Sequence, residues 1–169
     1  TAKPPTAEGE VPYTHIPHPR ERVEHLRNTR MTSDDSLVTL AMAILGPDFG
    51  ALDITVQDLR LAKELDLIST AHVWNGFNKN LPEAEQIKDA YLQLGEMGLL
   101  GPDHNIVHGC YLPEDQIRYV VDKGCSVTAT VMCEMHGHGA FPLTWVVRDT
   151  GAMPSIGTDT NTLVAEDMF

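Results

Sequence analysis

The sequence predicts an α/β fold built on parallel strands. Two observations carry the prediction. Short apolar runs alternate along the chain with longer stretches of helical periodicity, and Gly, Pro and Asp stand at nearly every junction. Strands separated by helices are normally parallel, with right-handed crossovers. With 169 residues, 42% of them hydrophobic, the chain can bury one ordinary core. An open doubly wound sheet and part of a (β/α)8 barrel both fit, and in either one function gathers at the carboxyl ends of the strands.

Residues 1–35 read as a separate region. Five of the eleven prolines fall within residues 1–19, which predicts an extended arm, and "PRERVEHLRNTR" (Pro19–Arg30) predicts a short charged helix. Residues 36–169 carry the regular pattern. "SLVTLAMAIL" (Ser36–Leu45) is a buried strand ending at Gly46-Pro47. Asp53–Asp66 has Ile54, Leu59, Leu61, Ala62 and Leu65 at helical spacing. "LISTAHVW" (Leu67–Trp74) is the second strand, and Leu81–Met97 the second helix of this region, opened by Pro82 and closed near Gly98. "HNIVHGCYL" (His104–Leu112) is the third strand, and Pro113–Gly124 is a helix with proline first and glycine last. "SVTATVMCEM" (Ser126–Met135), β-branched at its start, is the fourth strand. Ala140–Gly151 is a helix or helical turn, and Pro154–Asp159 a fifth short strand.

Composition excludes several classes. A formal net charge of -12 argues against nucleic acid and against an acidic membrane face. No apolar run approaches the roughly 18 residues of a membrane span. The polar, proline-rich start is not a signal peptide, and Cys110, Cys125 and Cys133 form no CxxC pair. The expectation is a cytoplasmic protein acting on a small molecule.

The strand ends carry the chemistry. His72 stands at the end of the second strand, His108 in "IVHG" at the end of the third, and Asp159 in "IGTD" at the end of the fifth. A lone histidine in such a place is ordinarily a core histidine hydrogen-bonded to backbone. Three such groups at matching places on parallel strands make a candidate site for a divalent metal, zinc or ferrous iron.

At these residues the sequence resembles the amidohydrolase superfamily, in its branch of cytosine deaminase and chlorotriazine hydrolases. "AHVW", "HNIVHGCYLPEDQIRYVVDKGCSVTATV" and "AMPSIGTDT" match the fifth to eighth barrel strands. The spacing of "HG", "GCSV" and "GTD" is quite specific. The resemblance covers roughly residues 36–169 and implies a partial (β/α)8 barrel, about strands 4 to 8. It implies that His72 and Asp159 are metal ligands. Asp159 would also be the base for the attacking water, and His108 a metal ligand or polariser of the substrate. The reaction implied is attack of activated water on a C–N or C–Cl bond of a small heteroaromatic substrate.

Two departures qualify the resemblance. The family's His-x-His pair on the first barrel strand has no counterpart, since His15 and His18 lie in the proline-broken "THIPHP". The expectation is therefore the second half of a longer enzyme, which associates with itself or with the missing half. Deaminases of this branch also carry a proton-shuttling glutamate three residues after the fifth-strand histidine. Here that position is Asn75, and an amide cannot transfer the proton. Glu134, in "EMHGHG", is the candidate replacement acid, and His136 and His138 are candidate substrate contacts. A solvated glycine-rich loop is the other reading of that segment. Trp74, Asn75 and Phe77 could meet a flat ring, or Trp74 and Phe77 could simply pack in the core. His104 reads as structural and Asp167 as a helix cap. An inactive barrel half serving as a binding or assembly module is the alternative to the enzyme.

Overall fold

The computed structural model describes residues 9–160. Asp167 lies outside the described residues, as do Pro4 and Pro5 of the expected arm. Five strands form one sheet: β1 (Ala41–Ile44), β2 (Ile68–Val73), β3 (His104–His108), β4 (Ser126–Ala129) and β5 (Ser155–Ile156). Every neighbouring pair is parallel and the spatial order is the chain order, β1-β2-β3-β4-β5. A doubly wound sheet reverses its order at a switch point. This one does not, and consecutive parallel order is the arrangement of neighbouring barrel strands. The sheet is open, with β1 and β5 at its edges among the described residues.

The helices are α1 (Arg20–Thr29), α2 (Gly46–Phe49), α3 (Leu52–Glu64), α4 (Ala90–Glu96), α5 (Glu114–Asp122), α6 (Val131–His136) and α7 (Thr144–Asp149). The core lies on one face of the sheet, where Met42, Ile44, Ala71, Val73, Ile106 and Val127 pack with Leu59, Leu94, Ile117 and Val146 from the helices. Among the described residues the other face of the sheet is uncovered: Ala41, Ala43, Ile68 and His72 are exposed there. Across it Asn105 binds Thr70, Ser126 and Thr128 in a polar ladder at 2.9–3.2 Å.

Three helices stop in the same way. After α3, α4 and α5 the next residue but one, Asp66, Gly98 or Gly124, takes a left-handed conformation. The amide that follows then reaches five residues back, Leu67 to Ala62, Leu99 to Leu94 and Cys125 to Val120, at 2.9–3.1 Å. Each stop feeds a strand or the turn leading to one.

The amino-terminal segment packs against this unit. Val23 of α1 is buried in the core. His18 donates its backbone N–H to Asp58 of α3 at 2.8 Å, and its Nδ1 lies 3.0 Å from the other carboxylate oxygen. That hydrogen bond raises the His18 pKa above its ordinary value, against the opposing effect of partial burial.

Element boundaries differ from the sequence expectations in several places, and the third strand, expected to run to Leu112, ends at His108 where the backbone takes a positive φ. The first strand covers only Ala41–Ile44, and "GPDF", read as a turn, is the one-turn helix α2. The helix expected over Leu81–Met97 is a 3-10 turn at Glu83–Glu85 followed by α4, because residues 86–88 are extended or turn-like where Gln86 folds back to the Leu81 carbonyl. The fourth strand stops at Ala129, and "VMCEMH" coils into α6. Thr130 makes the break: its N–H is taken by the Glu134 carboxylate at 2.7 Å, and its carbonyl accepts from the Glu134 amide at 2.9 Å.

Candidate metal centre

The site is built at the carboxyl ends of β2, β3 and β5 and in the loop after α6. His72 projects from β2 on the uncovered face, one residue before the strand ends. His108 is the last residue of β3 and Asp159 lies three residues beyond β5. Both take positive φ, 72° and 64°, two of the three non-glycine residues that do so among the described residues. Such backbone is costly for a residue with a Cβ, and it concentrates where side-chain aim matters. For His108 the turn brings the ring round to His72, with centroids 5.4 Å apart.

His108 Nε2 faces Asp159 Oδ2 at 3.9 Å. His138, from the glycine-flanked loop after α6, brings its ring edge-on to His108 at 4.9 Å. One ligand atom from each of His108, His138 and Asp159 lies within 4.8 Å of the others. Bonds of about 2.0–2.2 Å to zinc allow separations up to about 4.2 Å. The 3.9 Å between His108 Nε2 and Asp159 Oδ2 lies within that reach. Two imidazoles and a carboxylate are a donor set suited to zinc or ferrous iron. The buried His138 Nδ1, which has no hydrogen-bond partner, fits the same use. Burial holds the His138 pKa below its ordinary value, with the neighbouring His108 adding to the effect, so the ring is neutral and able to ligate near pH 7.

The other expected residues are spread over several positions. Trp74 packs among the histidines, 4.0 Å from the His138 ring and 5.7 Å from that of His108. Asn75 is half-buried in the loop after β2. His136 is exposed at the end of α6, outside the three-residue group. Phe77 lines a separate cavity of about 680 Å³ between α3, α4 and the loop after β2, which none of His72, His108 and His138 lines. His104 is structural as expected: it is buried, its Nδ1 lies 2.8 Å from Ser69 Oγ, and desolvation lowers its pKa to about 4.

Glu134 is fully buried and stands behind His108. Its Oε1 lies 3.2 Å from His108 Nδ1, and Thr130 Oγ1 lies 3.0 Å from the same nitrogen. The Cys133 thiol touches both His138, at 3.6 Å, and Asp159. Burial pushes its pKa up to about 11, so it is a protonated thiol beside the cluster.

Two contributors escaped the sequence reading. Thr130 is one. The other is Asp48 of α2, 6% exposed, whose carboxylate accepts the backbone N–H groups of Trp74, Asn75 and Gly76 at 2.8–3.1 Å. It clamps the loop that carries Trp74 and Asn75. Burial raises its pKa to about 6 despite those three donors. Nothing in "GPDF" announces this, because the clamp joins segments 26–28 residues apart.

No protein-family model matches the chain, and no curated protein matches it in sequence. Solved structures do match. A zinc-bound adenosine deaminase from Xanthomonas campestris superposes with a TM-score of 0.68 at 19% identity, over 85% of this chain and 32% of that one. A mutant of the atrazine chlorohydrolase TrzN from Arthrobacter aurescens TC1, complexed with zinc and atraton, gives 0.69 at 13% identity, over 86% and 32%. An amidohydrolase from a Sargasso Sea environmental sample gives 0.60 at 16% identity, over 86% and 32%. At these identities the likeness establishes the fold. The chain shares the architecture of part of these hydrolases and spans about a third of their length.

Proposed function

We propose that the chain is the carboxyl-terminal part of a metal-dependent hydrolase barrel of amidohydrolase type. The observation that carries this reading is the convergence of His108, His138 and Asp159, with His72 beside them, at the carboxyl end of a consecutively ordered parallel sheet. His72, His108 and Asp159 are the ligands the resemblance implies, and His138 stands where it can join them. When bound, zinc or ferrous iron supplies Lewis acidity that makes water a nucleophile near neutral pH.

The chain's own residues do the rest. Asp159 takes the proton from the attacking water at its carboxylate. His108 stabilises charge on the substrate atom that gains electrons. Trp74 offers an aromatic face to a small planar heterocycle carrying a C–N or C–Cl bond. Asn75 supports a second reading, an assembly or binding module without hydrolytic activity, because it cannot shuttle the proton that deamination needs.

Equilibrium dialysis of the 169-residue chain against zinc tests the centre. The expected result is weak, saturable, one-to-one binding that a chelator reverses and that His108→Ala and Asp159→Asn each lower by more than tenfold. Binding unaffected by both substitutions, or none at millimolar zinc, removes the metal reading and leaves the module.

A further inference from the structure

Glu134 is a carboxylate sealed inside the protein, and its surroundings fix what it can do. It is 0% exposed, so it has no open path to a substrate. Its Oε1 receives the Thr130 backbone N–H at 2.7 Å. An N–H only donates, so Oε1 is an acceptor. A proton on the acid would have to sit on Oε2, which is buried with no hydrogen-bond partner of its own, although the Cys110 thiol interacts with the carboxylate. His108 Nδ1 lies 3.2 Å from that same acceptor Oε1. A lone pair on Nδ1 would point at the lone pairs of Oε1, whereas an N–H would be bound by it. Thr130 Oγ1 agrees with the second arrangement: its hydroxyl can donate to Oε1, 3.4 Å away, and accept a share of the Nδ1 proton at 3.0 Å.

We infer that Glu134 is a positioning residue for His108: its carboxylate, anchored on Thr130, accepts the Nδ1–H of the imidazole and keeps the Nε2 lone pair turned toward Asp159. The importance of that lone pair rests on the proposed function, in which His108 Nε2 is the working atom. The device is a buried carboxylate that orients a histidine and selects its tautomer, the usual partner of a ligating or proton-handling imidazole. It also explains why the fourth strand ends where it does. The Thr130 amide and hydroxyl, instead of extending the sheet, are spent on holding the carboxylate in place.

The test is the tautomer of His108 in the metal-free chain, read from two-bond ¹H–¹⁵N correlations of the histidine rings at pH 7.5. The expected wild-type pattern is a protonated Nδ1 and an unprotonated Nε2. Glu134→Gln retains an acceptor oxygen facing Thr130 and should keep that pattern. Glu134→Met removes the acceptor, and the Nε2–H form should become the major one. A wild-type His108 with its proton on Nε2 overturns the inference, and this measurement needs no variant to fold. A Glu134→Met chain of native circular dichroism that keeps Nδ1–H also overturns it. Because no metal is present, the result is separable from that of the zinc titration.

Discussion

At the scale of single residues, the site is defined by where the backbone turns against its ordinary preference. His108 and Asp159 are aimed by positive φ, so a change of residue type there alters direction as well as chemistry. Asn75 is the informative departure. If the proposed function holds, Asn75→Glu in the complete hydrolase should supply a carboxyl proton shuttle and raise aminohydrolase turnover by about 10²–10⁴-fold. A rate that stays flat on amino-substituted heterocycles would show that no acid is needed at this position. The strand-end places of His72, His108 and Asp159 were legible in the sequence from the strand pattern, although the close group is His108, His138 and Asp159, with His72 beside it. The alignment of His138 with them was not, since a glycine-rich loop has no periodicity to say where its side chains go. Thr130 was hidden inside a β-branched run that reads as continuing strand.

Elements are held to one another here by a few buried polar contacts. The loop after β2 depends on Asp48, and within it Gly76 has φ +80°. A Cβ there would meet Leu112 Cδ1 at 2.9 Å. Gly76→Ala combines left-handed strain with an overlap and should cost about 2 kcal/mol, lowering the melting temperature by about 4–8 °C. An unchanged melting temperature would mean that the loop relaxes freely and that the clamp does not restrain it. Helix stops were readable from sequence where glycine supplied them, at Gly98 and Gly124. The short elements α2 and α6 were not, because four to six residues are too few to establish a period and long-range bonds decide their conformation.

For the whole molecule, two buried groups give opposite responses to pH. Asp48 has a folded pKa of about 6 against an unfolded value near 3.8. Its contribution is therefore full below the unfolded value and is lost as pH rises through about 6. His104 is depressed to about 4 from 6.5, so its contribution is full above 6.5 and is lost as pH falls through about 4. At about 1.4 kcal/mol per pKa unit, each is worth about 3 kcal/mol and they largely offset. His104→Asn should unmask the Asp48 slope, making the variant more stable at pH 4.5 than at pH 7 relative to wild type. Equal pH profiles for the two chains in urea titrations would refute the opposition. The parallel strands followed from the βαβ pattern, whereas their consecutive order and the bare face followed only from the resemblance to part of a barrel, since alternation alone also fits a doubly wound sheet. That face exposes Ile68 at 59%, and Ile156, in register with Ala129 of the other face, is 58% exposed at the β5 edge. Open edges and exposed apolar surface recruit other chains. Sedimentation of the 169-residue chain should show association, and a monodisperse monomer at high concentration would contradict this.

The Asp48 clamp has an evolutionary consequence. It grips Trp74 and Asn75 only by their main-chain N–H groups, so the loop's shape does not depend on which side chains those two positions carry. Any residue except proline can keep the bonds. Positions proposed to face a substrate are thereby uncoupled from those that hold the scaffold. Such a fold can exchange one specificity for another by single substitutions at 74 and 75. A library randomised at those two codons should remain mostly folded, whereas one randomised at 48 and 76 should not.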